Sequence, residues 1–365
     1  MDNTKKKIAF VIGSLSSGGA ERVISTLSNQ LIENFEVLII TFLKQEPFYH
    51  LDQRVKVIPC KNHIPSPRNI FQSLRLNYQL VKSTYSILKR ENVDLTIGFI
   101  TSANIIALIA AKLNGIPCMI SERNNPIIEE VPKFWRVLRR LLYPKADFVI
   151  LQTQGVKQYY ERLLNPNKIG VLPNPISKEL SRLRPEAPSE KKIILTVGRL
   201  VKEKNQRLLI NAFSNVEQKD WEIQIVGNGN QQRELQSLIA EHGLEGKVTL
   251  RQPTKDIAKY YRNAGIFVLT SENEGLPNAL IEAMHFGIPS ISTNCPFGPS
   301  DLIEDGINGF LIPVNDQKAL ERGLSELMGN KSLRKSFGEK GKITTKEFEN
   351  DIAVGKWQIV IEQFI

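Results

Sequence analysis

The chain has 365 residues, 41% of them apolar, which is enough for two domains, because single cores stop growing near ~250–300 residues. Its formal net charge is +10, and the surplus is one-sided: residues 1–182 hold 25 Lys and Arg against 14 Asp and Glu, whereas residues 183–365 hold 23 against 24. Three widely spaced cysteines, Cys60, Cys118 and Cys295, exclude a disulfide frame, and the basic half predicts an anionic partner such as a membrane surface, a diphosphate or a nucleic acid.

The first apolar run, IAFVIGS, follows three lysines as a signal peptide's core would. It is too short for that and leads into a glycine turn, so it reads as a strand. The turn SLSSGGAERV brings Gly18 and Gly19 to a helix N-terminus, where backbone can approach an anion closely. The runs EVLIITF, VKVIPC, DLTIGF, PCMISE, DFVILQT and KIGVL follow as further strands, with amphipathic helices such as ERVISTLSNQLIEN and LRLNYQLVKSTYSILKRE between several of them. The longest uncharged run, LTIGFITSANIIALIAA at 95–111, falls short of the ~20 residues of a membrane span and reads as a strand plus a helix. The segment FWRVLRRLLYPK at 134–145, preceded by Lys133, sets Arg136, Arg139 and Arg140 on one helical face. Phe134, Trp135, Leu138, Leu141 and Leu142 fill much of the rest, a pattern that suits a helix lying on an anionic membrane. An ordinary packed helix with a solvated basic edge is the alternative. The helix around Arg75, Lys82, Lys89 and Arg90 is a second candidate of the same kind.

Four prolines, Pro173, Pro175, Pro185 and Pro188, punctuate a linker, and the pattern then restarts with KIILTVGR, WEIQIVG, KVTLRQ, GIFVLTS and PSISTN. Continuous apolar strands separated by helices predict an α/β class of two doubly wound, Rossmann-like domains with parallel sheets, facing each other across a cleft. The expected boundaries are 1–182 and 183–345, with 346–365 as a final helix. Ligands in such sheets bind at the C-terminal ends of strands.

Two stretches carry chemistry there. In ILTVGRLVKEKN, Arg199 follows a strand and Lys204 opens a helix, two cations suited to a diphosphate. In SENEGLPNALIEAMHFGIPSIST, Glu274 ends a strand, Gly275, Leu276 and Pro277 lead into a helix, and Glu282 lies within that helix. The helix N-terminus suits a phosphate, Gly275 leaves its approach open, and a proline suits the first helical position. Each charge alone reads first as solvated surface; together they favour a site. Neither the Gly-Gly turn nor GNGN at 227–230 has the G-x-G-x-x-G spacing of a nicotinamide dinucleotide site. His50, His63, His242 and His285 are scattered and no Asp-x-Asp pair occurs, so no metal site is predicted; His285 reads as a packed or edge histidine. A departing diphosphate would then be met by Arg199, Lys204 and helix amides.

The combination of SGGAERV, VGRLVKEKN and ENEGLPNALIEAMHFGIPSI resembles glycosyltransferase family 4, retaining enzymes of the GT-B fold, over nearly the whole chain. SERNNP at 121–126 and NCPFGPSDLIEDGINGFLIP at 294–313 resemble, more narrowly, bacterial hexosaminyltransferases that extend undecaprenyl-diphosphate-linked oligosaccharides. The resemblance implies an N-terminal acceptor domain, a C-terminal nucleotide-sugar domain and a last helix, with Trp357, that packs back on the first. Arg199 and Lys204 would grip the donor diphosphate, Glu274 would meet the donor sugar, and the Gly275 and Leu276 amides would meet sugar or phosphate. Glu282 would bond the ribose, Pro253 would lie near the base, and Gly18 and Gly19 would close on the diphosphate. The family needs no metal or other cofactor and uses a front-face substitution in which the leaving phosphate helps deprotonate the acceptor. Many relatives have a histidine where this chain has Arg123 beside Glu122. A guanidinium stays charged and does not replace an imidazole in kind, so Arg123 would meet an acceptor diphosphate, or Glu122 would face the cleft instead.

The resulting expectation is a retaining glycosyltransferase, cytoplasmic and peripheral on the inner face of the cell membrane. It would move a sugar, an N-acetylhexosamine or hexose, from a UDP-sugar to a lipid-linked saccharide in surface glycan assembly. Its rivals are a UDP-sugar epimerase of the same architecture and a non-catalytic nucleotide-sugar or membrane-binding protein. The epimerase would need cleft acid and base groups, which so few histidines disfavour. The non-catalytic protein should have lost Arg199, Lys204 or Glu274. Nucleic acid is not expected as a partner, because the basic residues lie on Leu-rich helices without aromatic stacking positions on strands.

Overall fold

Alternating apolar strands and amphipathic helices build two parallel sheets in this computed structural model, which describes residues 5–65, 68–123, 125–126, 132–187, 189, 191–217 and 220–365. Pro188 of the linker and Asn124 of SERNNP lie outside the described residues. The chain divides into two units, Met1–Pro175 with Asn350–Ile365, and Ile176–Glu349.

The first unit contains β1 (Lys7–Ile12), β2 (Glu36–Leu43), β3 (Lys56–Lys61), β4 (Leu95–Phe99), β5 (Cys118–Ser121), β6 (Phe148–Leu151) and β7 (Ile169–Val171). They pair in the order β3-β2-β1-β4-β5-β6-β7, all parallel. β4 and β5 are buried along their whole length, as strands covered on both faces must be. The core joins Ile8, Phe10 and Ile12 of β1 to Val23, Ile24 and Leu27 of the helix Gly19–Leu31. It also takes in Val354, Trp357 and Ile361 of the last helix, Asn350–Glu362. Those residues share one helical stripe, which is why that helix belongs to the first unit although it follows the second in the chain. Trp357 is fully buried, its ring stacks 5.9 Å from Phe99, and its indole N–H donates to the Pro173 carbonyl at 2.9 Å.

The second unit contains β8 (Ile193–Val197), β9 (Glu222–Val226), β10 (Val248–Arg251), β11 (Ile266–Leu269), β12 (Ser290–Thr293) and β13 (Phe310–Ile312), ordered β10-β9-β8-β11-β12-β13 and again all parallel. β13 is absent from the sequence expectation. It has three residues, held between Gly309 and Pro313, and its register comes from pairing with β12. In both sheets the winding direction reverses once, between β1 and β4 and between β8 and β11. The C-terminal ends of those strands are where a doubly wound sheet leaves room for a ligand.

His285 ends the helix Asn278–His285 and is packed inside the second unit. Arg184 Nη1 donates to its Nδ1 at 3.3 Å. Burial, then the charges of Arg184 and Lys342, hold the imidazole down at about 4.

Two outcomes follow from this packing. Trp357→Ala should destabilise the first unit by about 3–5 kcal/mol, the range for emptying a large aromatic site. Urea unfolding should show it, and a loss below about 1 kcal/mol would mean that the last helix is not part of that core. Between about pH 6.5 and 4 the unfolded chain gains a proton at His285 that the folded chain refuses, so stability falls as pH falls through that window. His285→Gln should flatten the melting-temperature profile there; an unchanged slope would assign the pH dependence to other groups.

Candidate functional site

The reversal in the second unit brings together two loops that lie about 70 residues apart in the chain. The loop after β8 carries Arg199 and a short 3-10 turn, Lys202–Lys204, which ends in Lys204. The loop after β11 carries Ser271 to Pro277. Backbone stitches them, with the Glu272 amide donating to the Glu203 carbonyl at 2.8 Å, and Thr270 Oγ1 donates to the Lys204 carbonyl at 3.0 Å. The Lys204 ammonium forms an ion pair with the Glu274 carboxylate, with both side chains largely buried. Ser271 Oγ donates to the same Glu274 oxygen at 2.6 Å. Arg199 is exposed and close to this pair in sequence, and its backbone carbonyl accepts from Gln206 Nε2 at 3.0 Å.

Two glycines make these loops possible. A Cβ on Gly227 would stand 1.8 Å from the Gly198 carbonyl oxygen, so the loop after β9 lies directly against the loop carrying Arg199. Gly298 has φ +85°, and a Cβ there would stand 2.2 Å from the Gly275 oxygen. The loop after β12 therefore closes on the turn that carries Glu274.

The helix Asn278–His285 follows, with Pro277 at the N-cap and not inside the first turn as expected. The Pro277 carbonyl accepts from Leu280 and Ile281 at 3.1 Å each. Among the described residues, the amides of Gly275 and Leu276 donate to no backbone carbonyl. A helix start with open amides beside a buried cation can hold an anion. Glu282 lies on the inner side of that helix and accepts from the Tyr261 hydroxyl at 2.8 Å. Pro253 is in the loop after β10, at the C-terminal side of the same sheet.

The first unit has its own strand-end cluster. Gly18 caps the helix Gly19–Leu31 after β1 at φ −80°, a conformation open to any residue. The Glu21 carboxylate lies over Gly18 and accepts from Ser16 Oγ at 3.0 Å, so this helix start carries its own anion. After β4, Ile100 has φ +73° and ψ 147°, a strained region for a β-branched residue and of the kind that gathers at functional sites. After β5, Glu122 is 1% exposed. It accepts from Thr101 Oγ1 at 3.2 Å, from the Tyr143 hydroxyl at 2.6 Å and from the Arg123 amide at 3.0 Å. Burial, then the Glu122 charge, push the Tyr143 phenol well above its ordinary range, so it stays a donor. Arg123 is 8% exposed and donates through Nη1 to Asn174 Oδ1. Burial brings its guanidinium down to about 9, with the nearby Glu122 charge opposing, and it is cationic at neutral pH. Sequence reading named Glu122 and Arg123 but missed the partners Thr101, Tyr143 and Asn174. It also missed Ser271, the hydroxyl next to Glu274. No chain spacing links Thr101, Tyr143 and Asn174 to Glu122 and Arg123.

The basic helix is realised as Lys133–Leu142, with one correction. Arg139 is buried and does not share an exposed face with Arg136 and Arg140; the helix packs on the helix Thr101–Leu113. The outward stripe is Phe134, Val137 and Leu141, with Lys133, Arg136 and Arg140 exposed around it. The helix Ile70–Arg90 exposes a second such stripe, in which Ile70 is 65% and Phe71 78% accessible, followed by Leu74 and Tyr78. Among the described residues, no helix is long and apolar enough to cross a membrane.

Two family models match the chain, Glycosyltransferase Family 4 over residues 17–180 and Glycosyl transferases group 1 over residues 177–344. A Campylobacter jejuni protein named GalNAc-alpha-(1->4)-GalNAc-alpha-(1->3)-diNAcBac-PP-undecaprenol alpha-1,4-N-acetyl-D-galactosaminyltransferase is 32% identical over 362 residues, 98% of each chain. A second protein of that organism, N-acetylgalactosamine-N,N'-diacetylbacillosaminyl-diphospho-undecaprenol 4-alpha-N-acetylgalactosaminyltransferase, is 30% identical over 94% of this chain and 96% of its own length. Among solved structures, Anabaena Alr3699/HepE in complex with UDP superposes with a TM-score of 0.78 at 17% identity, covering 98% of this chain and 100% of that one. With both sheets, their order and the strand-end loops as described, the chain belongs to glycosyltransferase family 4 and is a glycosyltransferase of the GT-B fold.

Proposed function

We propose that this enzyme moves an N-acetylhexosamine or hexose from a UDP-sugar to a diphospho-lipid-linked saccharide, with retention at the anomeric carbon and without a metal ion. The observation that carries the reading is the Lys204–Glu274 ion pair at the β8/β11 reversal, with Arg199 in the same loop. A nucleoside diphosphate placed there would meet two cations and the open amides of Gly275 and Leu276. Its departing negative charge would then be met by Lys204, held in place by its ion pair with Glu274, and by the amides of the helix start. Glu274, fixed by Lys204 and Ser271, would accept hydrogen bonds from the donor sugar.

In the proposed step, the bond from the anomeric carbon to the diphosphate oxygen breaks. The acceptor hydroxyl oxygen bonds to that carbon on the same face, and its proton passes to the leaving phosphate. No enzymic nucleophile is required. The acceptor class is supported by the names of the two Campylobacter relatives, and the uridine by the UDP complex of a protein of like fold. The exposed stripes Phe134–Val137–Leu141 and Ile70–Phe71–Leu74–Tyr78, with basic neighbours, support a site of action at the inner membrane surface.

UDP at a hundredfold excess over its Kd should stabilise the protein by about 2.7 kcal/mol, with or without EDTA. Glu274→Ala should keep that shift yet lose at least about a hundredfold in turnover of a UDP-N-acetylhexosamine with an undecaprenyl-diphosphate-linked saccharide. Near-normal turnover would sink the site assignment, and a shift abolished by EDTA would sink metal independence. The anomeric proton coupling of the product reads retention directly. Replacing Arg136 and Arg140 with Glu should reduce co-sedimentation with anionic liposomes at low salt by tenfold or more, since each basic group near such a surface contributes about 1 kcal/mol. Unchanged co-sedimentation would remove this helix from the membrane contact.

A further inference from the structure

Arg123 is oriented in the first unit but left half-paired. Its guanidinium lies 4.6 Å from the Phe99 ring centre and 5.5 Å from that of Trp357, and these two rings are nearly parallel. Nη1 is taken by Asn174, which also receives Gln152 Nε2 at 3.5 Å. Among the described residues, the buried Nε and Nη2 have no partner. Those two nitrogens share one edge of the guanidinium, so their N–H bonds run side by side. Such a fork matches two oxygens of one phosphate or carboxylate.

The fork is not there for Glu122. That carboxylate is engaged by Thr101, Tyr143 and the Arg123 backbone amide, and among the described residues the Arg123 side chain donates only to Asn174. A buried charged donor without a partner is costly, and native proteins seldom keep one without a use for it. This one stands directly after β5, beside strained Ile100 at the end of β4, on the edge of the sheet where ligands bind.

We propose that the side-on fork of Arg123 binds one phosphoryl group of a substrate diphosphate. The proposal rests on the donor and acceptor classes given above, since both carry that group. Phe99, Trp357 and Asn174 are positioning residues that hold the guanidinium plane and leave its free edge for the ligand.

The test uses the full chain with inorganic pyrophosphate as probe, in the presence and absence of saturating UDP. Wild-type protein holding UDP should gain further thermal stability from pyrophosphate. Arg123→Lys keeps the charge and loses the fork, and should weaken the apparent pyrophosphate affinity by about tenfold or more. Asn174→Asp keeps the guanidinium but sets a carboxylate against it, and should weaken pyrophosphate in the same direction even if the lysine variant folds poorly. With the lipid-linked acceptor, Arg123→Lys should raise the acceptor KM far more than the donor KM. This pattern identifies the acceptor diphosphate as the source. If the UDP shift and the donor KM are the quantities that change, the fork holds the donor diphosphate and the phosphoryl assignment stands. Unaltered responses to pyrophosphate and to UDP in both variants would show Arg123 to be structural and overturn the proposal. A wild-type protein that ignores UDP yet responds to pyrophosphate through Arg123 would refute the donor reading and leave this site intact.

Discussion

A parallel sheet whose connections all cross with one hand reverses its winding only by starting again from its first strand. Each unit of this enzyme does so once, between β1 and β4 and between β8 and β11. Helices leave these neighbouring strands toward opposite faces, so neither connection covers the strand ends between them. In the second unit that opening is where Lys204 and Glu274 meet, from loops about 70 residues apart. The ion pair is largely out of water, where mutual attraction is offset by desolvation, and it is therefore weak evidence of stability. What it secures is orientation. Ser271, the Thr270 bond to the Lys204 carbonyl and the Glu203–Glu272 backbone bond fix both loops before any ligand arrives.

Much of the architecture is legible in the chain because it depends on local pattern. Apolar runs without alternation, separated by helical periodicity, admit few structures other than parallel sheets covered on both faces. The loops carrying Arg199 and Glu274 could be read because strand, loop and helix succeed one another within about twelve residues. β13 could not be read, since three residues between a glycine and a proline carry no period of their own and depend on β12 for their register. The burial of Arg139 was hidden for a related reason. Its helix presents basic groups in more than one direction, and only tertiary packing decides which of them turns inward.

The cluster around Glu122 and Arg123 marks a different limit. Thr101 and Tyr143 lie 21 residues to either side of Glu122, Asn174 lies 51 residues after Arg123, and Trp357 comes from the last helix. A buried acid beside a buried base in sequence suggests that they pair. Here Glu122 is engaged by Thr101, Tyr143 and a backbone amide, Arg123 Nη1 by Asn174, and the other edge of the guanidinium has no partner among the described residues. Whether a side chain is spent on its neighbour or kept for a ligand is set by contacts of this range.

Trp357 ties this cluster to the packing of the whole unit. One indole fills the core against Phe99, holds the Pro173 carbonyl and borders the Arg123 guanidinium. Pro173 and Asn174 belong to the segment that ends the first unit, so the last helix reaches both the core and the residue that engages Arg123 Nη1. The final aromatic layer of the first unit thus comes from a segment that follows the second unit in the chain. A flat, rigid ring suits both duties, since it buries a large apolar area and offers a face on which a guanidinium can rest while its edge stays available for hydrogen bonds. An aliphatic residue of similar volume would fill the core but would not offer that face. The orientation of Arg123 therefore depends on the aromatic character of position 357 and not on its bulk alone.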